Sequence, residues 1–318
     1  MRVLAALLLA LSAQLAWAEG DALSWLQRIH TATQTLNYTG TFVYRSGDQA
    51  ETSRIVHVAG PHGALERLET LDGQPREIVR SGDEVKCYLP GSMTVKIDRQ
   101  TDRRVFPVLL SANLQDISEH YAVTKGRIER IAGYQCQAIV LQPKDKMRYG
   151  HKLWADTNTG MLLKSQTFND RNEVVEQFAF TQIAIGGKID QGELKSRFLA
   201  KSRDWRVQNS GAVATSLAAS GWSINPDLPG FRKVTEMKRT QGGSSEIGHV
   251  VYSDGLAAVS VFIEPMANKI SSPQLGLSRQ GAINIFSRQV AEHLVTVVGE
   301  APAASVKKIA DSVEYRKP

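Results

Sequence analysis

The sequence predicts a mainly β chain with helices, an α+β exported protein folded in two parts. Three observations predict it. Short runs of period-two alternation are punctuated by Gly, Pro and Asp turns, an amphipathic helix precedes them, and an uncharged small-residue stretch divides the chain. Composition agrees: 42% apolar and 22% charged residues exclude disorder and coiled coil, and two cysteines are too few for a disulfide scaffold. At roughly 150 residues per domain, 318 residues favour two domains.

The chain opens with Met1-Arg2, an apolar run from Val3 to Leu11, and Ala16-Trp17-Ala18. A positive start, a short apolar core and small residues before a cut describe a secretory signal peptide over 1–18. The run is shorter than the roughly 20 residues that span a bilayer. Cleavage removes Arg2, so 37 positive and 32 negative side chains remain and the net charge falls from +6 to +5. The mature chain is expected to be soluble in an oxidising, exported compartment. There Cys87 and Cys136, both in strand-like contexts, can pair or remain separate buried thiols. Neither has a histidine at metal-ligand spacing, so no metal is expected.

Asp21 caps a helix whose apolar positions Ala22, Trp25, Leu26, Ile29, Ala32 and Leu36 recur at three- and four-residue steps, ending near Asn37. Tyr38, Gly40, Phe42 and Tyr44 then fall on one face of a strand that ends at the turn Ser46-Gly47-Asp48. Strand-length segments follow at 53–59, 64–71, 77–80, 84–89 and 93–98, separated by Gly60-Pro61, Asp72-Gly73, Ser81-Gly82-Asp83 and Pro90-Gly91-Ser92. This spacing predicts an antiparallel meander. A helical or loop-like break runs from Asp102 to about His120. Strands resume at 121–123, 135–142, 150–156, 161–169 and 174–185. The large domain is expected over 19–207, a linker over the uncharged stretch 208–221, and a small domain over 222–318. In the small domain, Asp254-Gly255 joins apolar runs at 249–252 and 256–263 as a hairpin, and 302–313 forms a last helix with Val306, Ile309 and Val313 on one stripe.

Catalytic motifs are missing: no Gly-x-Ser-x-Gly elbow, no His-Glu-x-x-His and no phosphate loop. An enzyme is not expected. His57 and His62 read as strand and turn histidines. Arg99, Arg103 and Arg104, interleaved with Asp98 and Asp102, form either a solvated loop or a phosphate-holding cluster. Nucleic acid is excluded by compartment. Tyr38, Phe42, Tyr44, Phe178 and Phe180 need an apolar partner. Either the first helix covers them as plain core, or it lies across the concave side of a curved sheet and leaves a cavity for an acyl chain.

Several segments carry a resemblance. Gly40-Thr-Phe-Val-Tyr44, the run Glu66 to Arg80, Arg148-Tyr-Gly150 and Leu153-Trp-Ala-Asp156 resemble the large domain of the MucB/RseB family; Leu228-Pro-Gly-Phe231, the run Tyr252 to Phe262 and Val297 to Pro302 resemble its small domain. The resemblance implies a periplasmic negative regulator of an envelope-stress sigma factor of the AlgU/sigma-E type. Such a protein binds the periplasmic segment of an anti-sigma factor of the MucA/RseA type, shields it from a site-1 protease, and is released by lipid or lipopolysaccharide. The implied large domain is an open antiparallel β-barrel with helices on its concave side, like LolA and LolB, followed by a small antiparallel sheet with a helix. On this resemblance the aromatic stripe and the three arginines are lipid-binding candidates, and Tyr252 and Phe262 of the small domain are partner-binding candidates. No catalytic residue or cofactor is implied. A homo-oligomer is compatible with the resemblance, and a periplasmic lipid or lipoprotein carrier is the alternative function.

Overall fold

The computed structural model describes residues 21–61, 63–99, 114–209, 211–241, 245–266 and 274–317. The segment 1–18, His62, Arg103 and Arg104 lie outside the described residues, and of Arg99 only the backbone is described, at the end of a strand. No helix among the described residues is long and apolar enough to cross a membrane.

Helix α1 spans residues 21–35 and buries Ala22, Trp25, Leu26, Ile29 and Ala32, the stripe its periodicity predicts. Helix α2 is Leu114–His120. Twelve strands make the first sheet: β1 (Tyr38–Ser46), β2 (Gln49–Val58), β3 (Leu65–Thr70), β4 (Glu77–Ser81), β5 (Glu84–Leu89), β6 (Thr94–Arg99), β7 (Tyr121–Ile131), β8 (Tyr134–Pro143), β9 (Gly150–Asp156), β10 (Leu162–Phe168), β11 (Val174–Ile185) and β12 (Arg206–Asn209). They lie in the order β12-β6-β5-β4-β3-β2-β1-β11-β10-β9-β8-β7. The meander of β1 to β6 is the one its turn residues predict. The sheet is open, with β7 and β12 as its edges. β7 is far longer than the three residues expected, and its edge is defended by a bulge between Lys125 and Ile128 and by exposed Lys125, Arg127 and Arg130.

The second sheet contains β13 (Gly211–Ala214), β15 (Arg232–Gln241), β16 (Ser245–Ser253), β17 (Ala258–Pro265), β18 (Gly276–Gln280), β19 (Ile283–Val290) and β20 (His293–Gly299), in the order β13-β15-β16-β17-β20-β19-β18; β14 (Trp222–Ile224) pairs separately with β21 (Val313–Tyr315). Helix α3 (Ala303–Asp311) sets Val306, Ile309 and Ala310 into a core with Val259, Val261, Val295 and Val297. The stretch 208–221, expected as a linker, is built into both sheets: β12 runs parallel to β6, β13 pairs antiparallel with β15, and Leu217 is buried in the small-domain core. Small uncharged residues read as a tether because strand pairing at a sheet edge needs only backbone groups.

In the large domain the core has two parts. Side chains of α1 pack with Ile139, Leu141, Leu153, Ala155 and Leu162. Tyr38, Phe42, Phe178 and Phe180 pack with Ala138, Trp154, Met161 and Leu163. Ala138 and Ile139 are consecutive in β8, as are Leu153 and Trp154 in β9, and consecutive strand residues point to opposite faces. Thus α1 and the aromatic stripe occupy opposite faces of this part of the sheet, and the helix is not the cover that the sequence suggested for the aromatics. Cys87 on β5 and Cys136 on β8 are free thiols with seven strands between them in the sheet order, so the pairing considered from sequence is not formed.

Candidate functional site at the domain junction

The lipid-binding candidates divide. Tyr38, Phe42, Phe178 and Phe180 are each at most 3% exposed. They pack on one another, with Phe42 and Phe178 centroids 4.9 Å apart and Phe178 and Phe180 5.0 Å apart. Tyr38 stacks at 4.6 Å on His57, whose Nδ1 lies 2.8 Å from Glu66, and Arg80 Nε donates to the other Glu66 oxygen at 3.0 Å. His57 is therefore a strand histidine held by its neighbours. Tyr44, half-buried, reaches the rim. It lines an open cleft of about 1070 Å³ with Glu51, Thr70, Asp72, Arg76 and Leu89, where Arg76 forks onto both Glu51 oxygens at 2.9 and 3.1 Å.

The partner-binding candidates also part company. Tyr252 is a core residue, 5% exposed, whose hydroxyl donates to Ile224 O at 3.1 Å; burial, with Glu236 nearby, pushes that hydroxyl up to about 12. Phe262 is half-buried and stacks on His249 at 4.4 Å. It alternates with the core positions Val261 and Ile263, which puts it on the sheet face away from α3.

What the structure does bring together is a set of residues from three of the resembling segments. Arg148, in the turn between β8 and β9, is completely buried, as is Asp254 in the turn after β16, and Arg148 Nη1 donates to Asp254 Oδ2 at 3.1 Å. The other two guanidinium nitrogens are engaged as well: Nη2 donates to Pro229 O at 2.6 Å and Nε to Asp145 at 3.1 Å. Tyr121 OH donates to the same Asp254 oxygen at 2.9 Å, while Oδ1 accepts from Leu256 N and Ala257 N. The Tyr121 and Phe231 rings flank the guanidinium at 5.6 and 5.5 Å. Burial and the Asp254 charge hold the Tyr121 hydroxyl well above its usual range. Burial lowers the adjacent His151 to about 4, opposed by Asp254, so it is neutral here.

Apolar side chains cross the junction in both directions. Leu256 of the small domain enters the α1 cluster, and Met147 of the large domain packs on the small-domain core. Ser305 Oγ donates to Met147 O at 2.6 Å, and Asn284 Nδ2 donates to Tyr149 OH at 2.9 Å. Gly230, with φ +81°, lies so close to the His120 ring that any Cβ would collide with it. At the cleft side, Ala282 N donates to Ser46 Oγ at 3.3 Å. Nearby, Glu176 on β11 faces Glu300 after β20. Burial first, and then the Glu300 charge, raise Glu176 to about 8, against a hydrogen bond from Tyr44. The sequence segments include Arg148, Pro229 and Glu300 without a role for them and Asp254 only as a hairpin turn, and give no functional part to Tyr121 or Glu176. For Arg148, Glu176, Asp254 and Glu300 the only signal is a charge within an otherwise turn-like or apolar context; Tyr121 and Pro229 carry none.

The family model described as the MucB/RseB N-terminal domain matches residues 21–198, and that of the MucB/RseB C-terminal domain matches 216–314. The sigma factor AlgU regulatory protein MucB of Pseudomonas aeruginosa is 30% identical over 299 residues, 92% of this chain and 90% of that protein. The sigma-E factor regulatory protein RseB of Escherichia coli K12 is 25% identical, covering 91% of this chain and 89% of its own. Among solved structures, MucB in complex with MucA(peri) superposes with a TM-score of 0.70 at 26% identity, covering 94% of this chain and all of that one. Both halves of the chain and the junction between them lie within these matches, and the chain belongs to the MucB/RseB family.

Proposed function

We propose that this chain is a periplasmic negative regulator of an envelope-stress sigma factor. It acts by binding the periplasmic segment of a membrane-anchored anti-sigma factor and shielding it from site-1 proteolysis. The observation that carries the reading is the likeness across both domains to MucB, a protein solved in complex with the periplasmic part of MucA. Binding rather than turnover fits the site: the junction's polar groups are committed to one another, and the relatives are named as regulatory proteins. Lipid or lipopolysaccharide releases the partner, and by linkage the lipid weakens partner binding as much as the partner weakens lipid binding. Tyr44 at the rim of the open cleft is the accessible member of the aromatic set. Tyr38, Phe42, Phe178 and Phe180 must part for an acyl chain to enter between them, and Arg99, Arg103 and Arg104 remain candidates for its phosphates.

The test is reconstituted proteolysis. Purified mature chain, added in stoichiometric amount to the anti-sigma periplasmic segment and its site-1 protease, slows cleavage, and lipopolysaccharide restores it. Unchanged cleavage refutes the regulatory reading. Restoration missing while protection holds refutes the lipid arm alone.

A further inference from the structure

We propose that the buried Arg148–Asp254 pair is a latch that fixes the orientation of the two domains. Three features of the junction point to this. First, the described residues show no single apolar core fusing the domains: each has its own, with Leu256 and Met147 exchanged between them and a small cluster of Tyr149, Val175 and Ala282 at the seam. A junction of that kind leaves relative motion as the default. Second, the one completely buried ion pair between the two domains among the described residues sits there, and a buried pair adds little net stability for its desolvation cost, whereas its geometry is demanding. Third, the geometry is over-determined. The planar guanidinium is held on its own side by Asp145 and reaches across to two different small-domain segments, Asp254 after β16 and Pro229 before β15. Asp254 is itself locked by the amides of Leu256 and Ala257 and by the Tyr121 hydroxyl from β7. Rotating one domain against the other breaks the Asp254 and Pro229 contacts together, and leaves a buried cation and a buried anion apart.

The pair touches no surface, so its effect is positional. The experiment is a distance measurement on the full mature chain by pulsed electron resonance. Spin labels are carried by Asp83→Cys in the large domain and Glu292→Cys in the small one, both exposed positions, on a Cys87→Ser background with buried Cys136 left in place. The latched chain gives one narrow separation. Asp254→Asn keeps the Oδ1 acceptor for the two amides but removes the charge opposite Arg148, and at least doubles the width of the distribution or adds a second population, while far-ultraviolet dichroism stays unchanged. A folded Asp254→Asn chain with the original narrow distribution overturns the proposal. If that variant does not fold, Arg148→Lys takes its place. It keeps the charge but loses the fork that reaches both segments, so broadening supports the latch and an unchanged distribution overturns it.

Discussion

Glu176 gives the junction an alkaline limit that can be worked through in numbers. Its carboxyl ionises at about 8 in the folded chain, against 4.5 when exposed, because burial and the Glu300 charge both disfavour the anion. A carboxyl whose folded value is raised contributes stability that is complete below 4.5 and is lost as pH climbs through 8. The slope is about 1.4 kcal/mol per pH unit, and across the window the loss approaches ~5 kcal/mol. Glu176→Gln preserves shape and the acceptor for Tyr44 while removing the proton equilibrium. The variant is therefore expected to be less pH-sensitive than the parent between pH 5 and 8, and more stable than it at pH 8 by several kcal/mol. Urea unfolding at closely spaced pH values measures both. If Glu176→Gln is less stable than the parent at pH 8, or declines with the same slope, ionisation of buried Glu176 is not what sets the alkaline limit.

Acid should act through a different group. His151, buried and lowered from 6.5 to about 4, contributes stability present above pH 6.5 and lost as pH falls toward 4; His151→Gln is expected to flatten that limb of the same unfolding series, and an unaltered acid limb refutes this. Phe42→Ala, removing a ring that is 2% exposed, should cost ~3–5 kcal/mol in urea unfolding; a loss below about 1 kcal/mol would indicate a hollow site in place of a packed one. Gly230→Ala, forced into φ +81° against His120, should cost at least the roughly 1–2 kcal/mol of a left-handed non-glycine residue, and a neutral melt refutes the close approach. Alkylation of the native chain followed by mass spectrometry should modify Cys87 alone, since Cys136 is buried and its thiol is pushed up to about 12; two unreactive cysteines that appear only after reduction would mean a disulfide.

Local signals made most of the large sheet legible. β1 to β6 announce themselves through alternation closed by turns such as Ser46-Gly47-Asp48, and α1 through its buried stripe, because both depend on neighbours within a few positions. Two kinds of structure escaped. Strands such as β12 and β13 lie at sheet edges and use backbone groups that any small residue supplies, so 208–221 looked like a tether. β19 and β20 went unremarked, although β20 is an inner strand of the small sheet, because Leu294-Val295 and Val297-Val298 are adjacent apolar pairs that blur the period-two signal. The junction was illegible for another reason. Arg148 and Asp254 are 106 positions apart, and no periodicity joins them; the segments around them could be noticed only by likeness, and their charges acquire a meaning only once the turns after β8 and β16 face each other. The aromatic stripe shows the same limit from the other side. Its residues share one cluster, yet which face the helix covers is decided by the parity of β8 and β9 and not by the stripe itself.

The crossing between the sheets occupies almost no chain. Asn209 ends a strand of the first and Gly211 begins a strand of the second, so each side of the covalent connection is clamped by its own sheet. The Arg148 contacts and the Ser46–Ala282 and Tyr149–Asn284 hydrogen bonds add ties at separate places, so a contact released at one of them leaves the halves joined at the others. A protease seeking an extended tether between the halves finds paired strands on both sides of the crossing.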